Sequence, residues 1–248
     1  MIIDSFDCES KAIINPKEKE KKVKCDVVIV TFSHEIEKYV LSNFRYEEVG
    51  EFCCVTGNFK FYTIKYKGKI FGFYKTILGS SIAVGMLEDI STYYDCSKYL
   101  VFGSAGVLDK TCERKVVVPT FAYRDEGTSY HYAKAEDYIE IKNAKMIINF
   151  MKKYNIPYKS GKCWTTDGFY RETENNLRKR QNDGCVAVDM ECSAIQAFCN
   201  FRNLDLFYFF LSGDLLDAPE WDDSGLKKAN HNFENFNIAL HLAYELTL

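Results

Sequence analysis

The chain has 248 residues, 47% hydrophobic and 15% aromatic, with 32 basic and 35 acidic side chains and a formal charge of -3. That is enough apolar material for one domain with a full sheet and its covering helices, and the near balance of charge argues against a nucleic-acid surface. Ten cysteines without a CxxC pair, and His34, His131, His231 and His241 without metal-ligand spacing, argue for a reduced cytoplasmic chain with no metal site and no cofactor.

Residues 1–24 read as an N-terminal extension or edge element, in which Ile13 and Ile14 are placed to pair at a sheet edge and Lys17 to Lys24 form a solvated lead-in diluted by Glu18 and Glu20. Nothing in this start has the charged and apolar regions of a secretion signal. Residues 25–248 read as one domain. Asp26 to Thr31 is apolar without alternation, as a strand covered on both faces should be. A helix over Glu35 to Leu41 follows, then strands at Phe52 to Val55, Phe59 to Tyr66 and Lys69 to Thr76, with a Lys67-Gly68 hairpin that implies an antiparallel part of the sheet.

Small residues from Gly79 open a helix whose face is Ile82, Met86 and Ile90. The strand Tyr99 to Phe102 is expected to end at Gly103-Ser-Ala-Gly106, and the strand Lys115 to Val118 to stop at Pro119. Phe121 to Ala135 reads as a long polar and aromatic loop, and Glu136 to Tyr154 as a helix. Lys159 to Trp164 is a strand and Asn175 to Arg180 a short helix. Cys185 to Val188 is a buried strand that opens into a helix over Glu191 to Phe201. Leu206 to Leu211 is the last core strand, ending at Ser212-Gly-Asp214, and Asn230 to Leu246 the closing helix. The longest apolar run, Leu204 to Leu211, is far short of a membrane span. Interleaved strands and helices predict a single α/β domain around a mixed, twisted central sheet flanked by helices.

Four predicted strand ends carry small or polar residues: Gly103-Ser-Ala-Gly106, Thr166-Asp-Gly-Phe-Tyr170, Asp189-Met-Glu191 and Ser212-Gly-Asp214. Strand ends of this kind are where open α/β sheets bind ligands. Taken in order, they resemble the nucleoside phosphorylase family, which includes purine nucleoside phosphorylases, uridine phosphorylases and methylthioadenosine nucleosidases. Val-Asp-Met-Glu resembles the family's Val-Glu-Met-Glu, and Gly-Ser-Ala-Gly its glycine-rich strand end. Thr-Thr-Asp-Gly-Phe-Tyr resembles its Ser-Asp-x-Phe-Tyr segment. The stretches Arg124 to Tyr132 and Tyr170 to Thr173 resemble a less studied bacterial and archaeal branch.

The resemblance implies roles. Glu191 matches the carboxylate that hydrogen-bonds the ribose hydroxyls, Met190 the residue packed on the sugar, and Phe169 the aromatic that stacks on base or sugar. Asp214 resembles the acid that protonates a purine, although Gly213 shifts its register by one; Asp217 is a weaker rival. Gly103, Ser104 and Gly106 would present N–H groups and a hydroxyl to phosphate. Asp189 reads equally as a ligand contact or as a tie to a neighbouring loop. Arg171 would read a base carbonyl or pair with an acid, Trp164 would form pocket wall or core, and Asp167 reads as a turn residue.

Two phosphate-binding arginines of the better-known phosphorylases are missing, since Thr31 to Ile36 contains none and Val101 stands at the second position. Arg124 is a candidate replacement, suited to bidentate oxyanion recognition, or else an ion-pair partner. Glu35 is a candidate base for water, and His131 a candidate contact to phosphate or the 5'-hydroxyl. The expected function is phosphorolysis of a nucleoside, purine slightly favoured, to free base and ribose 1-phosphate. Inorganic phosphate would be the co-substrate, without nucleic-acid or membrane partners. A hydrolytic nucleosidase and a non-catalytic nucleoside- or nucleotide-binding protein are the alternatives. The resemblance further implies a homo-oligomer, a dimer or a trimer of dimers.

Overall fold

The computed structural model describes residues 1–217 and 221–248. Its strands and helices alternate in chain order as follows. β1 (Val23–Lys24), β2 (Val27–Thr31) and α1 (His34–Asn43) precede the hairpin strands β3 (Tyr46–Cys54), β4 (Gly57–Tyr66) and β5 (Lys69–Lys75). Next come α2 (Ser80–Ile90), β6 (Tyr94–Asp95), β7 (Lys98–Val107), β8 (Val116–Asp125), β9 (Tyr138–Glu140) and α3 (Ala144–Lys153). The chain closes with β10 (Tyr158–Thr166), α4 (Glu174–Asn182), β11 (Cys185–Asp189), α5 (Cys192–Phe201), β12 (Asp205–Leu215), α6 (Leu226–His231) and α7 (Phe233–Glu245).

The main sheet runs β11-β10-β8-β12-β7-β2-β5-β4-β3, with β9 added beside β8. It mixes parallel pairs such as β2 with β7 and antiparallel pairs such as β4 with β5. Twist carries β11 round to meet β7 again, antiparallel, through Ala187 opposite Val107 and Val188 opposite Gly106. One end of the sheet is thereby curled into a closed ring, and the other is an open meander. This is the mixed, helix-flanked α/β fold that the sequence predicts.

The unbroken apolar strands follow from burial on both faces. Val28, Val30, Val101 and Tyr208 point toward α2 and α5, in one cluster with Met86, Leu87, Ile195 and Phe198. Their sequence neighbours Val27, Ile29, Leu100, Phe207 and Phe209 point the other way, into a cluster with Ile147, Phe236 and Leu240 from α3 and α7. Every residue of α5 from Cys192 to Cys199 is buried, as expected of a helix apolar all round.

Several predicted boundaries are corrected. β7 does not end at Gly103; it runs through the glycine motif because β12 pairs alongside it from Phe210 opposite Gly103 to Ser212 opposite Ala105. β12 likewise continues past Ser212 to Leu215. β8 passes through Pro119, which falls between the pairing to β12 that stops at Val117 and the pairing to β9 that starts at Phe121. A residue without an N–H is tolerated in such a gap. Phe121 to Asp125 is therefore strand, not loop.

The predicted Glu136 to Tyr154 helix is a strand, β9, followed by the shorter α3, with Asn143 in the left-handed region at the junction. Pairing with β8 overrides local helix propensity there. The buried face of α2 is Ala83, Met86, Leu87 and Ile90 rather than the Ile82 side. Asn232 divides the closing helix in two, its side chain capping α7 by accepting from the Glu234 N–H at 2.9 Å. Ile13 and Ile14 lie in solvent and pair with no strand.

Candidate functional site

The β11–α5 junction is organised by Asp189. Its Oδ2 accepts from the backbone N–H groups of Glu191 at 2.9 Å and Cys192 at 2.6 Å, and its Oδ1 accepts from the Thr165 hydroxyl at 2.7 Å. Both oxygens are thus engaged in starting α5 and tying it to β10, where free N–H groups need acceptors. Burial still outweighs these bonds and pushes the carboxyl up to about 6.

Glu191 is held differently. It is 4% exposed, and its Oε1 accepts from the Gly79 N–H at 2.5 Å. Gly79 has φ +102, a conformation open to glycine, and it aims that N–H across from the start of α2. Ser80 completes the tie by donating to the Met190 carbonyl at 2.6 Å. Burial first, and then the Asp189 charge, push the Glu191 carboxyl up to about 8.

Met190 and Glu191 form part of the wall of a cavity of about 760 Å³, within the range of small-molecule sites. The ends of β2 (Thr31, Phe32, Ser33), the glycine run of β7 (Gly103 to Gly106), the end of β11, and Tyr208, Leu211 and Asp214 of β12 supply most of the rest. The turn at Phe169 and Tyr170 and the helix α6 cover the mouth. Gly106 is needed for this closure, since a Cβ there would lie 2.6 Å from Leu216 and 2.9 Å from Val188.

In the lining, Ser104 donates its hydroxyl proton to Asn230, and Ser33 Oγ lies 2.8 Å from His231 Nδ1. Asp214 Oδ2 accepts from the Trp221 indole N–H at 2.8 Å. Phe169 and Tyr170 lie against each other with centroids 4.1 Å apart and planes tilted by 43°, and stay largely exposed. The charged side chains of the lining are Glu172, Glu174, Asp189, Glu191 and Asp214. Burial, followed by Asp214 and Asp189, pushes the Glu172 carboxyl up to about 7.

The structure thus brings Gly103, Ser104, Gly106, Phe169, Asp189, Met190, Glu191 and Asp214 to one cavity. It does not bring Arg124 there. That guanidinium is buried behind the end of β8, where it donates to Ser129 Oγ at 2.8 Å and to the carbonyls of Lys134, Glu136 and Ala133. The Tyr130 ring lies against it at 4.2 Å. The loop after β8 has carbonyls with no strand partner, and Arg124 satisfies them.

Trp164 is buried outside the cavity and donates to Asp125 at 2.9 Å. Arg171 and His131 face solvent. Glu35 lies beside His34 at 3.3 Å and is outside the lining of the cavity. Asp167 accepts from the Gly127 N–H at 3.0 Å, and Asp217 is exposed and outside the lining.

Sequence reading passed over Glu172, Asn230, His231, Tyr208 and Trp221. Glu172 follows the singled-out Phe169 by three residues, which was a usable signal. Asn230 and His231 carry no local pattern, because only the packing of α6 delivers them. Among the described residues no group of three or more His, Cys, Asp or Glu is placed to hold a metal ion, and no helix is long and apolar enough to cross a membrane.

The mixed α/β fold that carries this cavity agrees with sequence comparison. Residues 26–241 match the Phosphorylase superfamily, and the chain belongs to that family. It is an α/β protein of the nucleoside phosphorylase and nucleosidase superfamily and an enzyme of that general class.

Among its relatives, an uncharacterised protein of Acanthamoeba polyphaga mimivirus is 24% identical over 169 residues, 66% of each chain. A DeoD-type purine nucleoside phosphorylase of an Exiguobacterium species is 24% identical over 214 residues, 85% of this chain and 89% of the relative. A 5'-methylthioadenosine/S-adenosylhomocysteine nucleosidase of Buchnera aphidicola is 30% identical over 179 residues, 64% of this chain and 73% of the relative.

Proposed function

We propose that the cavity binds a nucleoside and that the enzyme cleaves its N-glycosidic bond with water as the nucleophile. The observation that carries this reading is the distribution of charge. Five carboxyl groups line the cavity, while Arg124 is taken up by Ser129 and main-chain carbonyls elsewhere. With no Lys or Arg among the described residues of the lining, a phosphate dianion would enter a site of low dielectric without a cationic partner, whereas water carries no such penalty. The nucleosidase relative supports the reading.

In this mechanism the ribose lies over Met190 with its hydroxyls toward the Glu191 carboxylate, whose Oε1 is already fixed by Gly79. Cleavage makes the sugar cationic, and the Glu191 carboxyl, which holds a proton in the empty cavity up to about pH 8, favours that state over the neutral ground state once it has ionised. The base lies between Phe169 and Asp214, both of which line the cavity. Water approaches the anomeric carbon from the side of Ser104, Asn230 and His231.

Phosphorolysis is the second reading. The backbone of Gly103 to Gly106 and the Ser33–His231 pair provide donors for an anion, and a DeoD-type purine nucleoside phosphorylase is among the relatives. Purine and pyrimidine nucleosides incubated in phosphate-free buffer, then with added phosphate, separate the two. Base release that needs no phosphate and yields free ribose is expected. Release that depends on phosphate and yields ribose 1-phosphate would select the second reading, and binding without release would remove both.

A further inference from the structure

We propose that Glu172, rather than Asp214, is the proton donor to the departing base. This rests on the reading that an N-glycosidic bond is cleaved in this cavity. The position singled out from sequence for the acid is Asp214, and the surroundings of the two side chains differ. Asp214 Oδ2 accepts the Trp221 indole proton at 2.8 Å, so one of its oxygens is already engaged. Glu172 accepts no hydrogen bond from the described residues.

The other cavity carboxyls are engaged. Asp189 uses both oxygens at the start of α5, Glu191 takes the Gly79 N–H, and Glu174 lies 3.5 Å from Arg178. Glu172 closes the turn that begins at Phe169, so a base stacked on Phe169 has this carboxyl within the same wall. The groups facing it are Asp214 of β12 and Asp189 of β11, both acidic. Arg171 and Glu174 flank it on its own segment, and Glu191 and His231 line the same cavity. Like charges around an unpaired carboxyl hold a proton on it, and burial pushes it up to about 7.

The step balances. As the bond between C1' and the base nitrogen breaks, its electron pair leaves with the base, and the Glu172 proton passes to a ring nitrogen of that base. Water adds its oxygen to C1' and releases one proton, which restores Glu172 by way of solvent.

The test compares Glu172→Gln and Asp214→Asn on a purine nucleoside and on 4-nitrophenyl β-D-ribofuranoside, whose leaving group needs no proton. Glu172→Gln is expected to lower kcat/KM for the nucleoside on the order of a hundredfold or more, to abolish the alkaline limb of its pH profile, and to leave the nitrophenyl riboside within about threefold of wild type. Asp214→Asn should keep the alkaline limb. Equal loss on both substrates, an unchanged Glu172→Gln profile, or loss of the limb in Asp214→Asn instead would overturn the proposal. A wild-type protein that releases no base from any nucleoside would overturn the reading beneath it, and the proposal with it.

Discussion

Arg124 and Glu191 are both ionisable, and both almost wholly buried, at 3% and 4% exposure. They sit in regions that use buried charge in opposite ways. Behind β8, Arg124 meets a hydroxyl, three carbonyls and an aromatic face, so its donors are spent on holding a loop. At the β11–α5 junction, Glu191 receives one backbone N–H and turns the rest of its carboxyl to a cavity. A buried charge with its bonding capacity filled organises the fold. One left half-satisfied costs stability, and that cost is recovered when a ligand completes it. The same contrast recurs within three residues, between Asp189, fully engaged, and Glu191.

Four measurements can break or sharpen this contrast. The largest effect is expected at Glu191. Glu191→Gln should lower turnover per folded protein by roughly a hundredfold to a thousandfold, about 3 to 4 kcal/mol of barrier, by removing charge that faces the developing cation. Near-wild-type turnover in a steady-state assay would remove Glu191 from the chemistry.

Arg124→Met comes next, with the opposite signature. It should cost about 2 to 4 kcal/mol of stability in urea unfolding, by leaving carbonyls without donors. The folded fraction should keep its kcat/KM within about threefold and its response to phosphate. A selective loss of phosphate dependence would instead return Arg124 to the site.

The third is a pH effect on the ligand-free protein. Glu191 titrates at about 8 in the fold against an ordinary 4.5, so the folded state keeps a proton that the unfolded chain has lost. Its contribution to stability is fully present below about pH 4.5 and is lost as pH rises through about 8. Glu172, at about 7, acts in the same direction. Melting temperature should therefore fall between these limits, and Glu191→Gln should flatten the fall and be the more stable protein at pH 8.5, by on the order of 2 kcal/mol. A melt that rises over this range would show that Glu191 is ionised in the empty cavity.

The smallest effect belongs to Asp189→Asn. It keeps an acceptor for one partner and weakens the start of α5, at a cost of about 1 to 2 kcal/mol, with turnover changed through position rather than charge. A loss of turnover matching that of Glu191→Gln would erase the distinction between the two acids.

The legibility of the chain follows the same division. Asp26 to Thr31 and Leu206 to Leu211 were readable as core strands because burial on both faces leaves an unbroken apolar run, which needs no knowledge of the neighbours. Val-Asp-Met-Glu and Gly-Ser-Ala-Gly were readable as site elements because the chemistry confines them to contiguous residues. Phe121 to Asp125 and Tyr138 to Glu140 were misread because neither has a strand pattern of its own, and they are strands through pairing of Phe121 to Tyr123 with Tyr138 to Glu140 and of Ala122 to Asp125 with β10.

Local sequence also determined that a buried acid would begin α5, since Asp189 and Glu191 stand where an apolar strand meets an apolar helix. Which of the two faces a ligand was decided by tertiary structure, through Thr165 on β10 and Gly79 before α2, 24 and 112 residues away from their partners. The same is true of Arg124, whose commitment to the carbonyls of residues 133–136 depends on how the loop folds back over β8. Glu172, Asn230 and His231 reach the cavity from a turn and a late helix by packing alone. A carboxylate or guanidinium has the same chemistry wherever it stands in the sequence, but its charge state and availability depend on the donors, acceptors and dielectric around it, and those come from distant segments.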